Sequence, residues 1–338
     1  MRFAVYMHSR HVICSAFESG LVIDIRRWFI LLLICVPFAA HGTKSVTWRE
    51  VSAAALVKVD DDIRRNIQTP RYFDGIEISE QRFVENGFAW HLVRFASKEK
   101  RSGPLWMVPH DDENAGFDAM IAAIKMHGGV GIAVNSGSGG LRRQSGNGIC
   151  GVNPAKVTSC DPNRNFSDAT PKFTSAFLAE RKAGHPVIAL HTNTPGFSGD
   201  GQGGRGEITI LDAAEFSRGV TVPRRGGHLA IEAKAEMANY DTLGLTAYLA
   251  SNGQPDADAV ACRNAMVRSG VHFWHERVGT SDGSMSNYLA LKRPEIKYFN
   301  AESRNERDLA VAAARFRIMV SAYLANCVKS RNEPVSRP

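Results

Sequence analysis

Short apolar runs alternate with stretches of helical spacing over most of this 338-residue chain, and that alternation constrains the fold more than any other feature. Pro104–Val108, Ile132–Asn135, His185–Leu190, Val271–Val278 and Ile296–Asn300 read as strands, and Phe88–Ala96 alternates well enough for another. Asn114–His127, Lys172–Arg181, Asp256–Ser269 and Gly283–Leu291 read as helices, and Glu306–Lys329 as a long closing helix. In the first of these, Phe117, Met120, Ile121 and Ile124 share a face and Gly128-Gly129 ends the run. Strands that alternate with helices predict one α/β domain with a largely parallel sheet. Leu229–Ala233 and Ile208–Leu211 are candidate strands, and residues 43–87 read as a lead-in with a short helix near Thr47–Val57. Residues 136–159 and 194–206 are rich in glycine and read as long surface loops, the kind that often carries function. No repeat or linker divides residues 41–338.

The first forty residues differ from the rest. Arg26-Arg27 precedes an apolar run from Trp28 to Phe38, and Ala39-Ala40-His41-Gly42 follows. A basic start, a short apolar run and a small-residue end read as a secretory signal peptide over residues 1–40. The run is too short to span a bilayer, so the chain is expected to be exported, periplasmic or secreted, with no stable membrane span once the leader is removed. Some twenty residues before Arg26 make a long leader, and a start near Val22 gives an ordinary one. Export makes the remaining cysteines informative: Cys150, Cys160, Cys262 and Cys327 are even in number, and disulfides form in oxidising compartments. Cys150–Cys160 is the expected local pair and Cys262–Cys327 the long one. The net charge of +7 is carried by scattered lysines and arginines with no aromatic-interleaved basic block, which argues against a nucleic-acid partner.

Reactive groups in open α/β sheets gather at the carboxyl ends of strands. His110 and Glu113 follow the strand 104–108, His191 closes the strand 185–190, and Glu302 follows the strand 296–300. Two histidines and a glutamate with an open fourth position form a catalytic zinc arrangement, in which the ion acidifies its water and polarises a carbonyl. A separate carboxylate can move the proton of that water to a leaving amine, and Glu302 is placed for it. The plainer readings are a core histidine at His191, a salt bridge from Glu302 to Arg304 or Arg307, and a solvated turn at Asp111-Asp112. An acid at that turn could also orient a ligand imidazole. His272, Trp274 and His275 read as core or rim.

Between these groups lies Asp161-Pro162-Asn163-Arg164-Asn165-Phe166, and late in the chain come Asp282-Gly283-Ser284 and Ile296-Lys297-Tyr298-Phe299-Asn300-Ala301-Glu302-Ser303-Arg304. The order of His-x-x-Glu, this Asn-Arg stretch, a strand ending in His and a late strand ending in Glu resembles the zinc metallocarboxypeptidase family of carboxypeptidase A, from about residue 104 to 304. The resemblance implies a three-layer α/β/α sandwich around a mixed, mainly parallel sheet. It implies one zinc ion held by His110, Glu113 and His191, with Asn163 and Arg164 binding the substrate's terminal carboxylate. Glu302 would be the general base, and Arg143, in preference to Arg142, would stabilise the oxyanion. Where the family carries a substrate-capping tyrosine this chain has Val278, with Tyr288 or Tyr240 as replacements, and the interval from Glu113 to His191 is shorter than in digestive carboxypeptidases.

The expected activity is hydrolysis of an amide next to a free carboxylate, on a peptide or an N-acyl amino acid. In a bacterial envelope, cell-wall peptides are a natural substrate class. One alternative is an N-acyl amino acid deacylase on the same scaffold, similar to aspartoacylase and succinylglutamate desuccinylase. Another is a secreted zinc-binding protein without turnover, which the intact Glu302 speaks against.

Overall fold

The computed structural model describes residues 47–135, 150, 160–193, 229–233, 245–252, 256–269, 271–304 and 308–328. The leader expected over 1–40, both glycine-rich loops, the strand expected at Ile208–Leu211, Arg142, Arg143 and Tyr240 lie outside them. In chain order the elements are β1 (Arg49–Glu50), α1 (Ala53–Leu56), α2 (Asp61–Asn66), β2 (Ile76–Glu85), β3 (Phe88–Ser97), β4 (Leu105–Val108), α3 (Asn114–His127) and β5 (Val130–Val134). A 3₁₀ turn (Pro162–Arg164), α4 (Pro171–Leu178), β6 (Val187–Asn193), β7 (Leu229–Ala233) and β8 (Leu245–Ser251) follow. The chain ends with α5 (Ala257–Arg268), β9 (His272–Arg277), α6 (Met285–Lys292), β10 (Tyr298–Arg304) and α7 (Leu309–Asn326).

The strands form one mixed sheet in the order β1-β2-β3-β5-β4-β6-β10-β8-β9-β7. Its middle, β5-β4-β6-β10, is parallel throughout. Antiparallel pairs extend it, with β3 on β5 at one side and β8 on β10 at the other. Strands β4 and β5 are buried on both faces, which is why they read as unbroken apolar runs. Trp106 and Val108 enter one core with α3, α5 and α7, whereas Leu105 and Met107 enter a second core with α4 and α6. Helices therefore cover both faces, and the architecture is the expected three-layer sandwich.

The lead-in differs from its expected form. Instead of a helix over 47–57 the chain makes the short strand β1, then a single turn, α1, capped where Ser52 Oγ accepts from Ala55 N. Strand β2 then forms a ten-residue hairpin arm against β3. Its turn, Asn86-Gly87, has positive φ at both residues, the geometry that favours Asn-Gly in tight hairpins. The apolar pattern of β2 is masked by Glu80, which is buried yet satisfied by Arg49, by Arg82 and by His91 Nε2 at 2.8 Å. Strand β8 is a further addition to the expected elements; Thr246, Ala247, Ala250 and Ser251 give it a weak apolar signal in the sequence.

Three features fix the segment that carries Asn163 and Arg164. Phe166 is fully buried, with its ring 5.0 Å from Phe173 and 5.3 Å from Phe177; burying one such ring contributes about 2–3 kcal/mol. The Cys150–Cys160 disulfide forms as expected, and Asn165 ties it down by accepting from Cys150 N and donating to Asp161 O. Gly283 sits at φ +86° with its carbonyl accepting from Phe166 N at 2.8 Å. A Cβ there would meet Arg164 O at 2.4 Å, so only glycine lets the 281–284 turn dock. The Cys262–Cys327 disulfide joins α5 to the end of α7. Among the described residues no helix is long and apolar enough to cross a membrane.

Gly283→Ala combines a left-handed backbone with a backbone clash. It is expected to lower unfolding free energy by about 3 kcal/mol, read as a drop in the denaturant midpoint at unchanged slope. A loss under about 1 kcal/mol would contradict the docking.

Candidate metal centre

The parallel middle of the sheet aims its carboxyl ends at one rim. Strand β4 stops at Val108, and Pro109-His110 continue past it. His110 O accepts from Glu113 N at 3.2 Å, and Glu113 O accepts from Gly116 N and Phe117 N, so His110–Glu113 is a turn that opens α3. Glu113 is the N-cap residue, but its side chain makes no capping bond and meets His110 Nδ1 and Thr192 N instead. A carboxylate at a helix N-terminus is also favoured by the helix dipole. Close approach of α3 to β6 depends on Gly116, where a Cβ would lie 2.8 Å from Leu190 O. That approach puts Glu113 beside His191 and lets Thr192 N donate to Glu113 Oε2 at 3.0 Å.

His191 and Glu302 lie within strands rather than just past them, because the β6–β10 ladder runs on to Asn193 and Arg304. They are register partners in that ladder, so their side chains share a face. Strand alternation identifies the face: Tyr298 and Ala189, two or four residues earlier, enter the core under α4 and α6.

The donor atoms converge. His110 Nδ1 is 3.0 Å from Glu113 Oε1 and 3.2 Å from His191 Nδ1, and His191 Nδ1 is 3.3 Å from Glu113 Oε2. Donors bound tetrahedrally to one zinc at about 2.0–2.2 Å sit about 3.3–3.6 Å from each other. The three residues are the one group of metal-ligating type among the described residues, and all are buried. His191 Nε2, also buried, has no hydrogen-bond partner among them. Nitrogen and oxygen donors with this spacing fit a borderline divalent ion.

The acid that orients the His110 ring is Asp161, not one at the Asp111-Asp112 turn. Its Oδ1 lies 2.8 Å from His110 Nε2 and also accepts from Asn163 N at 2.8 Å. The ring is thus turned so that Nδ1 faces Glu113 and His191, the way a carboxylate orients a ligand imidazole. Asp161 opens the Asp-Pro-Asn-Arg-Asn-Phe run, so its position was visible in the sequence although its role was not.

Burial pulls the His110 pKa down, but the Glu113 and Asp161 carboxylates outweigh it and push the ring up to about 10. Burial raises Glu113, yet His110 and then His191 hold it far below the usual carboxylate range. Asp161 behaves alike: burial raises it, while His110 and Arg164 bring it well below normal. Without an ion the cluster therefore keeps a proton on His110. A cation at the same donors takes over that neutralising role.

Arg164 reaches the cluster through Asp161. Its Nη1 is 3.7 Å from Asp161 Oδ2 and its Nε 3.8 Å from Asp282 Oδ2, and its side chain is 11% exposed. Asn163 Oδ1 accepts from Met285 N at 3.4 Å, at the start of α6. Glu302 is 3% exposed, and its Oε1 accepts from Asn300 Nδ2 at 3.0 Å. Val278 is buried, and Tyr288 packs partly buried against the core under α4 and α6.

No protein-family model matches this sequence, and no curated protein does. Among solved structures it is similar to a candidate metallopeptidase from Shewanella denitrificans, at 13% identity and a TM-score of 0.36, covering 79% of this chain and 88% of that one. An aspartoacylase family protein from Mesorhizobium loti matches at 13% identity and a TM-score of 0.37, covering 77% and 70%. The cell shape determinant protein Csd4 from Helicobacter pylori matches at 13% identity and a TM-score of 0.37, covering 73% and 57%. Likeness at this level is too loose to assign an activity, so the functional reading rests on the residues above.

The raised pKa of His110 adds stability that is complete below about pH 6.5 and is lost as pH rises toward 10. The depressed Glu113 and Asp161 add stability that is present above about pH 4.5 and is lost on acidification. For chelator-treated protein, the melting-temperature gap between wild type and His110→Asn is expected to be widest between those limits and to narrow above pH 7. A gap that grows toward pH 10 would contradict the ion-pair account.

Proposed function

We propose that the chain is an exported zinc-dependent hydrolase that cleaves an amide bond next to a free carboxylate. The observation that carries this reading is the convergence of His110 Nδ1, His191 Nδ1 and the Glu113 carboxylate, with a second buried carboxylate, Glu302, the register partner of His191 on the neighbouring strand. His110, Glu113 and His191 would hold one zinc ion. Such an ion polarises the scissile carbonyl and brings the pKa of its water to about 7. Glu302 takes a proton from the attacking water and delivers it to the departing amine. Asp161 keeps the His110 ring from rotating, and Thr192 N fixes one oxygen of Glu113. Asn163 and Arg164 receive the substrate's free carboxylate, for which a guanidinium's planar fork is suited. Arg143 is the proposed oxyanion partner.

The motif resemblance to zinc metallocarboxypeptidases supports this reading, and Glu302 weighs against a binder without turnover. Two disulfides and the apolar run Trp28–Phe38 support a leader over 1–40, an enzyme domain over 41–338 and an oxidising location. The substrate is a peptide with a free carboxyl end or an N-acyl amino acid.

Glu302→Gln is expected to reduce kcat by about 10²–10⁴-fold with bound zinc unchanged; near wild-type turnover would remove Glu302 as the proton carrier. Wild-type enzyme should hydrolyse a peptide with a free terminal carboxylate and spare its amidated form. Equal rates would defeat the role of Asn163 and Arg164. A preference for N-acyl amino acids over longer peptides would make the enzyme a deacylase.

A further inference from the structure

Asn300 lies two residues before Glu302 on β10, on the same face, and both are 3% exposed. Its place is unusual for its chemistry. Asparagine is depleted in strands, and on that face Tyr298 enters the apolar core under α4 and α6. An aliphatic residue would pack there without a polar group to satisfy. Asn300 Nδ2 instead donates to Glu302 Oε1 at 3.0 Å, while Oδ1 has no partner among the described residues. An ionised carboxylate only accepts, so the amide must present its nitrogen to Glu302.

We propose that Asn300 is a positioning residue that clamps the Glu302 carboxylate for proton transfer. The clamp holds Oε1 and so restrains the plane and rotamer of the Glu302 side chain. With Oε1 engaged, the proton passes through Oε2. The donor is neutral, so it orients the carboxylate without the full charge of a lysine or arginine, which would weaken it as a base. This inference rests on Glu302 being the proton carrier.

Turnover and bound zinc are measured in the full-length zinc-loaded protein for Asn300→Ala, Asn300→Asp and Glu302→Gln, and for the double variant Asn300→Ala/Glu302→Gln. Misplacing a reacting group by about 1 Å can cost about 10²-fold in rate. Asn300→Ala is therefore expected to lower kcat by about 10–100-fold with KM and zinc per chain unchanged. Asn300→Asp keeps the shape but replaces the donor with a like charge. It should fall below Asn300→Ala in kcat per bound zinc, whereas a packing role predicts the reverse order. Adding Asn300→Ala to Glu302→Gln should change nothing further.

Wild-type kcat in Asn300→Ala, with Glu302→Gln inactive, would overturn the clamp and leave the proposed function standing. An active Glu302→Gln would overturn both. Should Asn300→Ala fail to fold, Asn300→Ser keeps a donor on a shorter arm; intermediate kcat supports the clamp and wild-type kcat overturns it.

Discussion

Two imidazoles and a carboxylate are buried together with their donor atoms about 3 Å apart, and such a group is not stable without compensating positive charge. In the bare protein a proton on His110 serves, held between Glu113 and Asp161. An ion at the centre serves better, since it bonds all three donors at once. Much of the surrounding structure answers this demand. Asp161 turns one ring, Thr192 N holds one carboxylate oxygen, and Gly116 lets α3 approach β6 closely enough for Glu113 to arrive.

The parallel middle of the sheet makes the convergence possible. Neighbouring strands that run the same way end at the same rim, so residues far apart in sequence meet there. The β6–β10 register then sets which side chains face each other, and it places Glu302 level with His191. A slip of one residue would turn Glu302 into the opposite core. On the site's face, Phe166, the Cys150–Cys160 disulfide and the Gly283 turn hold the Asp161–Arg164 stretch over the rim. Stability and the geometry of the donor cluster thus draw on the same contacts: the aromatic cluster that fills the core also anchors the acid that orients His110.

The parts of the fold legible in the sequence were those with strong periodicity. Asn114–His127 matched its helix to the residue, and β4 and β5 were readable because both faces are apolar. The segment 43–87 was not legible as part of the sheet, because β2 buries Glu80 behind charges from Arg49, Arg82 and His91 and so hides its inner face. The local signal for that hairpin is the Asn86-Gly87 pair, with positive φ at both residues. In the site, His110, Glu113 and His191, which the structure brings together, were legible because they lie at or near strand ends. The contacts of Asp161 and Asn300 were not, since each depends on which atom faces which partner across the fold. For Asp161 that partner is 51 residues away. For Asn300 it is two residues away, where only strand alternation brings the two side chains together.

The central claim is that His110 Nδ1, His191 Nδ1 and Glu113 hold one divalent cation. X-ray absorption on purified protein, with the metal counted per chain, tests it most directly. One zinc per chain is expected, in a shell of nitrogen and oxygen at about 2.0–2.2 Å with two imidazoles, and one imidazole should disappear in His191→Ala. Protein that binds no stoichiometric metal, or whose zinc shell is unchanged in both His110→Ala and His191→Ala, would contradict the account.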